Sequence, residues 1–275
     1  MVGVDGVRPV SDPRPVSDPR PVSDPRGAAR TGAAAGRQQW EAMSIWQELL
    51  LRATATQPVP SPQTVALLGL LALGLVIAAW PATRMVATIA HEAGHGLVAV
   101  LTGRQLTGIR LHSDTSGLTL SRGRPRGPGM VATLAAGYPA PGLLGFAAAW
   151  LLAAGHAIGL LWLVAFALAA MLLMIRNFYG LLVLLPAVAG IAAASWYLQP
   201  IHQSWLAYLV CWVLLLSAPR PVFELAARGG RTSDSAQLAR TTGIPAGIWT
   251  FLFGVLTISC LIGGIAVLAP EVLGR

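Results

Sequence analysis

The chain has 275 residues, 55% of them hydrophobic and only 11% charged, whereas a soluble domain carries about 25% charged residues. This composition excludes an ordinary soluble enzyme and predicts a polytopic membrane protein. The formal net charge is +8 and every basic residue is arginine; these arginines lie in short loops between apolar runs, so membrane orientation explains them and no nucleic-acid partner is expected.

Residues 1–42 contain three copies of R-P-V-S-D-P between Arg8 and Arg26. Proline at that spacing blocks helix and ladder pairing, and too few apolar residues are present to offset the entropy of ordering. The segment is expected to be a disordered tail, and it lacks the apolar core of a secretion signal. The membrane domain is expected over 43–275.

Apolar runs follow in order: Val65–Trp80, reaching back toward Pro62, then Ala82–Leu101, Met130–Ala154, Ala157–Ile175, Phe178–Leu198, Trp205–Ala218 and Ile248–Leu268. The first is slightly short for a hydrocarbon core of about 30 Å unless it reaches back toward Pro62. The expected fold is all-α and polytopic, with six to seven transmembrane helices. With the N-terminus in the cytoplasm, alternate loops place Arg104, Arg110, Arg122, Arg124, Arg126, Arg176, Arg220, Arg228, Arg231 and Arg240 on one side, leaving Arg84 and Arg275 opposite. By the positive-inside rule the basic side is cytoplasmic, in a bacterial inner (plasma) membrane. Cys211 and Cys260 occupy different apolar runs without C-x-x-C spacing and read as packing residues.

The second run holds His91-Glu92-Ala93-Gly94-His95, an HExxH pattern with no other ionisable side chain from Val86 to Leu101. Residues four apart share a helix face, so both imidazoles can bind one Zn²⁺ while Glu92 lies beside the attacking water as general base. Ionisable groups at membrane depth are costly and point to a functional site. After this helix, Gly108–His112 and Gly117–Arg122 alternate around Ser113-Asp114-Thr115-Ser116, which predicts a short β-hairpin. The hairpin either only connects two helices or also offers an edge to an extended substrate.

A catalytic zinc usually takes a third protein ligand. Of the eleven acidic residues, Asp5, Asp12, Asp18, Asp24, Glu41 and Glu48 precede the membrane segments. Glu271 lies at the far end and Glu92 is the base. Asp114, Glu224 and Asp234 remain. Asp234 has the most suggestive context, in a helix start at Ser233–Leu238, although Ser233 or Asp234 could simply be its N-cap. Asp114 reads as a turn residue and Glu224 as solvated. Arg176-Asn177 interrupts two apolar runs; it is either a plain turn or a source of an asparagine that binds substrate backbone. His112, His156 and His202 lack ligand spacing.

From about Met85 onward the chain resembles the site-2 protease family of intramembrane zinc metallopeptidases, in a compact bacterial branch without a PDZ-like insert. The resemblance rests on H-E-A-G-H-G, S-G-L-T-L, R-N-F-Y-G and S-D-S-A-Q-L-A-R-T-T-G-I-P. It implies His91 and His95 as zinc ligands, Glu92 as base, Asp234 as third ligand and a membrane-protein substrate. Here Asn177 and Asp234 lie far apart, and Ser235 stands where the family's aspartate motif has glycine. The rival expectation is a non-catalytic membrane scaffold or a metal-binding transporter that retains the motif; no internal repeat of the transporter kind is visible.

Overall fold

The computed structural model describes residues 44–270, so the repeat tail and Arg275 lie outside the described residues. Leu49 onward forms one compact unit. In chain order the elements are α1 (Ile45–Thr54), α2 (Pro62–Ala78), α3 (Trp80–Leu101), β1 (Gln105–Leu111), β2 (Gly117–Arg122), α4 (Pro128–Ala136), α5 (Ala140–Ala153), α6 (Ala157–Met174), α7 (Phe178–Tyr197), α8 (Pro200–Ser217), α9 (Pro219–Arg228), α10 (Asp234–Thr242) and α11 (Ala246–Leu268). The protein is an all-α polytopic membrane protein with one short hairpin after the HExxH helix α3.

Among the described residues α6, α7, α8 with α9, and α11 are each long and apolar enough to cross a membrane. The pairs α2–α3 and α4–α5 qualify together but are bent by 103° and 70°, giving up to six spans. Proline marks both breaks. Pro81 opens α3, and Pro139 and Pro141 flank the start of α5. A proline ring has no N–H and clashes with the preceding turn, so it begins a helix more readily than it continues one. Met130–Ala154, one run in the sequence, is therefore two helices meeting at Gly137-Tyr138-Pro139.

The α2–α3 bend also changes which ends meet. At one end of α2, the Gln57 amide donates to Gly155 O at 2.8 Å and the Gln57 side chain accepts from the Ile158 amide at 3.1 Å. Nearby, Arg52 donates to Trp196 O at 3.1 Å. At the other end, Arg220 donates to Val76 O at 3.1 Å and lies 4.0 Å over the Trp80 ring. Glu224 bridges Arg220, at 3.5 Å, and Arg84, at 3.6 Å. The sequence expectation put Arg84 on the face opposite Arg220 and Glu224, and left Glu224 solvated; the structure corrects both. It also seats Arg52 and Gln57 with Gly155 and Trp196, on the end away from the basic loops. The two ends of α2 therefore meet opposite ends of the helix bundle.

Packing then fixes the elements that matter for the site. Met85 on α3, Ile109 and Leu111 on β1, Met171 on α6 and Leu184 on α7 form one buried cluster. Leu134, Val222, Leu238 and Phe253 form another, which docks α10 against α4, α9 and α11. The hairpin is antiparallel, with Ile109 opposite Thr119 and Leu111 opposite Gly117. Its turn is closed by Asp114, which accepts from the Ser116 amide at 3.0 Å and the Ser116 hydroxyl at 2.7 Å. Those bonds hold its carboxyl below the usual range.

These contacts predict the sidedness of single cysteines in intact cells, in a background lacking Cys211 and Cys260. Thr56→Cys and His202→Cys should react with an impermeant maleimide from outside, while Arg124→Cys and Arg228→Cys should react only after permeabilisation. Protection of Thr56→Cys together with labelling of His202→Cys would show that α2 and α3 cross separately.

Candidate metal centre

His91 and His95 lie one turn apart on the inward face of α3, and α10 brings Asp234 to them. Asp234 Oδ2 lies 3.2 Å from each Nε2, and the two Nε2 atoms are 3.0 Å apart. His95 is 7% exposed and the Asp234 side chain 12%. Asp114, Glu224 and Asn177 do not join this group.

Local structure explains why Asp234 is available. Ser233 is the N-cap of α10 and accepts from the Ala236 amide at 3.3 Å. Asp234 is the first helical residue, so its carboxylate has no capping duty, and a negative charge is favourable there. Four residues on, Leu238 is fully buried and pins the same face of α10.

The donor set fits a metal. His95 Nδ1 lies 2.6 Å from Thr133 O, an acceptor that requires the proton on Nδ1. Nε2 then faces Asp234 Oδ2, which is buried, at 3.2 Å. That contact needs either a second ring proton or a metal ion between the two atoms, and with Nε2 unprotonated the metal ion is what offsets their repulsion. Zinc bonds of about 2.0–2.1 Å at a tetrahedral angle separate ligand atoms by roughly 3.3 Å, close to the spacing found. His91, His95 and Asp234 are the group of three among the described residues whose donor atoms converge in this way.

Glu92, 3% exposed, turns away from that triangle toward β2, where Thr119 Oγ1 donates to its Oε2 at 2.6 Å. A cavity of about 190 Å³ opens between α3, β2, α4 and α10, lined by all four polar residues and by Gly117 and Thr119. Asn177 serves a different role from the substrate contact considered in the sequence. Its Nδ2 donates to Leu111 O at 2.6 Å and its Oδ1 accepts from the Leu111 amide at 3.2 Å. With the Arg176 amide on Ile109 O at 2.9 Å, it clamps the outer edge of β1 to the α6–α7 junction. His112, His156 and His202 pair with Ser116, Ala154 and Trp205 respectively, away from the centre.

Sequence reasoning missed several residues that shape the site. Thr133 carries no motif signal, and Thr119 lies in S-G-L-T-L without any role being read from it. Tyr138 stands edge-on to His91 at 4.9 Å and stacks on Phe253 at 5.4 Å. Gly137 passes so close that an added Cβ would strike both imidazoles, and one on Gly117 would strike Glu92. The G-Y-P break inside an apolar run was the available clue to Gly137.

Gly137→Ala and Gly117→Ala should each cost about 1–3 kcal/mol through overpacking, read as a lower melting midpoint in detergent. Gly74→Ala and Gly190→Ala, whose added carbon meets nothing within 4 Å, should not lower it. A wild-type midpoint for Gly137→Ala would contradict the close approach.

A profile of the Peptidase M50B-like family matches residues 32–264. No match was found among curated proteins, and none among solved structures.

Proposed function

The chain belongs to the Peptidase M50B-like family, whose members are membrane metallopeptidases of the site-2 protease kind, and from that premise we propose that it is an intramembrane zinc metalloendopeptidase. It hydrolyses peptide bonds in or next to transmembrane segments of other membrane proteins. The observation that carries the reading is the convergence of His91 Nε2, His95 Nε2 and Asp234 Oδ2 within 3.2 Å of one another, next to a buried glutamate in an apolar helix. The centre faces the cytoplasmic side of the plasma membrane, where the arginine-rich loops gather.

His91, His95 and Asp234 would hold the zinc, which when bound polarises a scissile carbonyl and lowers the pKa of water toward 7. Three protein ligands leave a position open, as catalytic rather than structural zinc sites do. Glu92 takes the proton of the attacking water and returns it to the leaving amine. Thr133 O fixes the His95 tautomer, and the α10 contacts hold Asp234 in place. A helical backbone hides its carbonyls, so the substrate enters locally unwound. Gly117, Leu118 and Thr119 of β2 border the cavity, and β2 has no second strand partner among the described residues, so it can align an extended segment beside Glu92.

Glu92→Gln should retain one zinc per chain and lose cleavage of a membrane peptide by about 10²–10⁴-fold, the usual worth of a positioned base. Zinc retention with undiminished hydrolysis would sink the assignment, and a wild type that binds zinc yet cleaves no membrane segment would favour the scaffold reading.

Asp234→Ala should lose zinc at chelator concentrations that wild type survives. Ser233→Ala, which removes only the cap, should cost about 0.5–2 kcal/mol of stability and keep the metal. Equal zinc retention by Asp234→Ala and wild type would remove Asp234 from the ligand set.

A further inference from the structure

The general base has to be held as firmly as the metal ligands, yet nothing on its own helix holds it. Among the described residues the one hydrogen bond to the Glu92 carboxylate comes from Thr119 Oγ1, at 2.6 Å to Oε2, and the same hydroxyl lies 3.2 Å from the Glu92 carbonyl oxygen. Thr119 is on β2, 27 residues away along the chain. The other carboxylate oxygen faces the β2 backbone at Gly117, where an added Cβ would come within 2.5 Å of Oε1. One turn earlier on α3, Thr88 Oγ1 donates to Thr115 O at 2.7 Å, tying down the hairpin turn.

The far edge of the hairpin is fixed independently. Asn177 and the Arg176 amide grip β1, and Ile109 and Leu111 are buried in the cluster with Met85 and Met171. Thr119 sits opposite Ile109 in the ladder, so the residue that touches the base is backed by the most firmly anchored point of β1. The chain of contacts runs from the α6–α7 junction through β1 and β2 to Glu92 without a gap.

We infer that Thr119 is a positioning residue for the reaction: its hydroxyl selects the side-chain rotamer of Glu92, so the seating of the hairpin, rather than the HExxH helix, sets the geometry of the base. Glutamate has three side-chain torsions. A buried carboxylate with a single donor follows that donor, because leaving it unpaired costs more than rotating the side chain. A base displaced by about 1 Å loses on the order of 10² in rate. The role of Glu92 as base rests on the proposed protease function; the tether does not, and it is observable without any substrate.

Thr119→Val removes the donor at nearly constant volume, and Thr119→Ser keeps it. In purified protein with equal zinc content, Thr119→Val should lower kcat by about 10²-fold with KM changed little, and Thr119→Ser should restore most of the rate. Hydrogen exchange of the Gly117–Ser121 amides should speed up in Thr119→Val and in Glu92→Ala, and stay slow in Thr119→Ser. Wild-type kcat in Thr119→Val, or an equal loss in Thr119→Ser, would overturn the positioning role. Unchanged exchange in both Thr119→Val and Glu92→Ala would overturn the tether itself. If wild type cleaves nothing while the exchange responds as expected, the protease reading fails and the tether stands.

Discussion

The arrangement depends on one electrostatic constraint: a nearly buried carboxylate, Asp234, lies 3.2 Å from two imidazole nitrogens. Thr133 O takes the Nδ1 side of His95 and leaves Nε2 to face the carboxylate. Without a proton or a metal ion between them, these buried acceptors would repel one another. Much of the architecture around the centre serves to impose it. Leu238 anchors α10, Ser233 takes over the capping duty, and the α4–α5 break lets Gly137 pass under the two histidine rings with no side chain between.

Two separate parts of the chain therefore supply what one helix cannot. The HExxH spacing gives two ligands and a base, because i and i+4 share a face. It does not settle where the base points or what closes the ligand set. The third donor arrives from α10, more than a hundred residues later, and the orientation of the base arrives from β2. Both elements are short, and neither could hold its place alone. α10 is docked by α4, α9 and α11, and the hairpin by α3, α6 and α7. The large apolar cluster of α2, α5, α6, α8 and α11 lies apart from both and acts as the frame on which they rest.

What could be read in the sequence follows the range of the interaction. Local periodicity identified the membrane helices, the HExxH face and the hairpin, because each depends on residues a few positions apart. The proximity of Asp234 was reachable because acidic residues are so scarce that elimination left three, and because its predicted side and the family resemblance favoured it. Whether it capped a helix or faced the histidines turned on a one-residue difference, Ser233 against Asp234 as N-cap, which no propensity decides. Asn177 was noticeable as a polar residue between apolar runs, but its partner, the backbone of Leu111, is 66 residues away. Thr119 and Thr133 act through single hydroxyl and carbonyl groups; Thr119 lies in S-G-L-T-L, but neither its partner Glu92 nor that of Thr133 can be read from the neighbouring sequence.

The arginine rule shows the same limit from another direction. It treats each apolar run as one crossing, and Trp80-Pro81 breaks that assumption. Arg84 lies instead beside Arg220 and joins it on Glu224, while Trp80 packs under the Arg220 guanidinium. A lone arginine within an apolar segment would be costly; paired with a carboxylate and stacked near an aromatic ring, the group becomes tolerable at the membrane boundary.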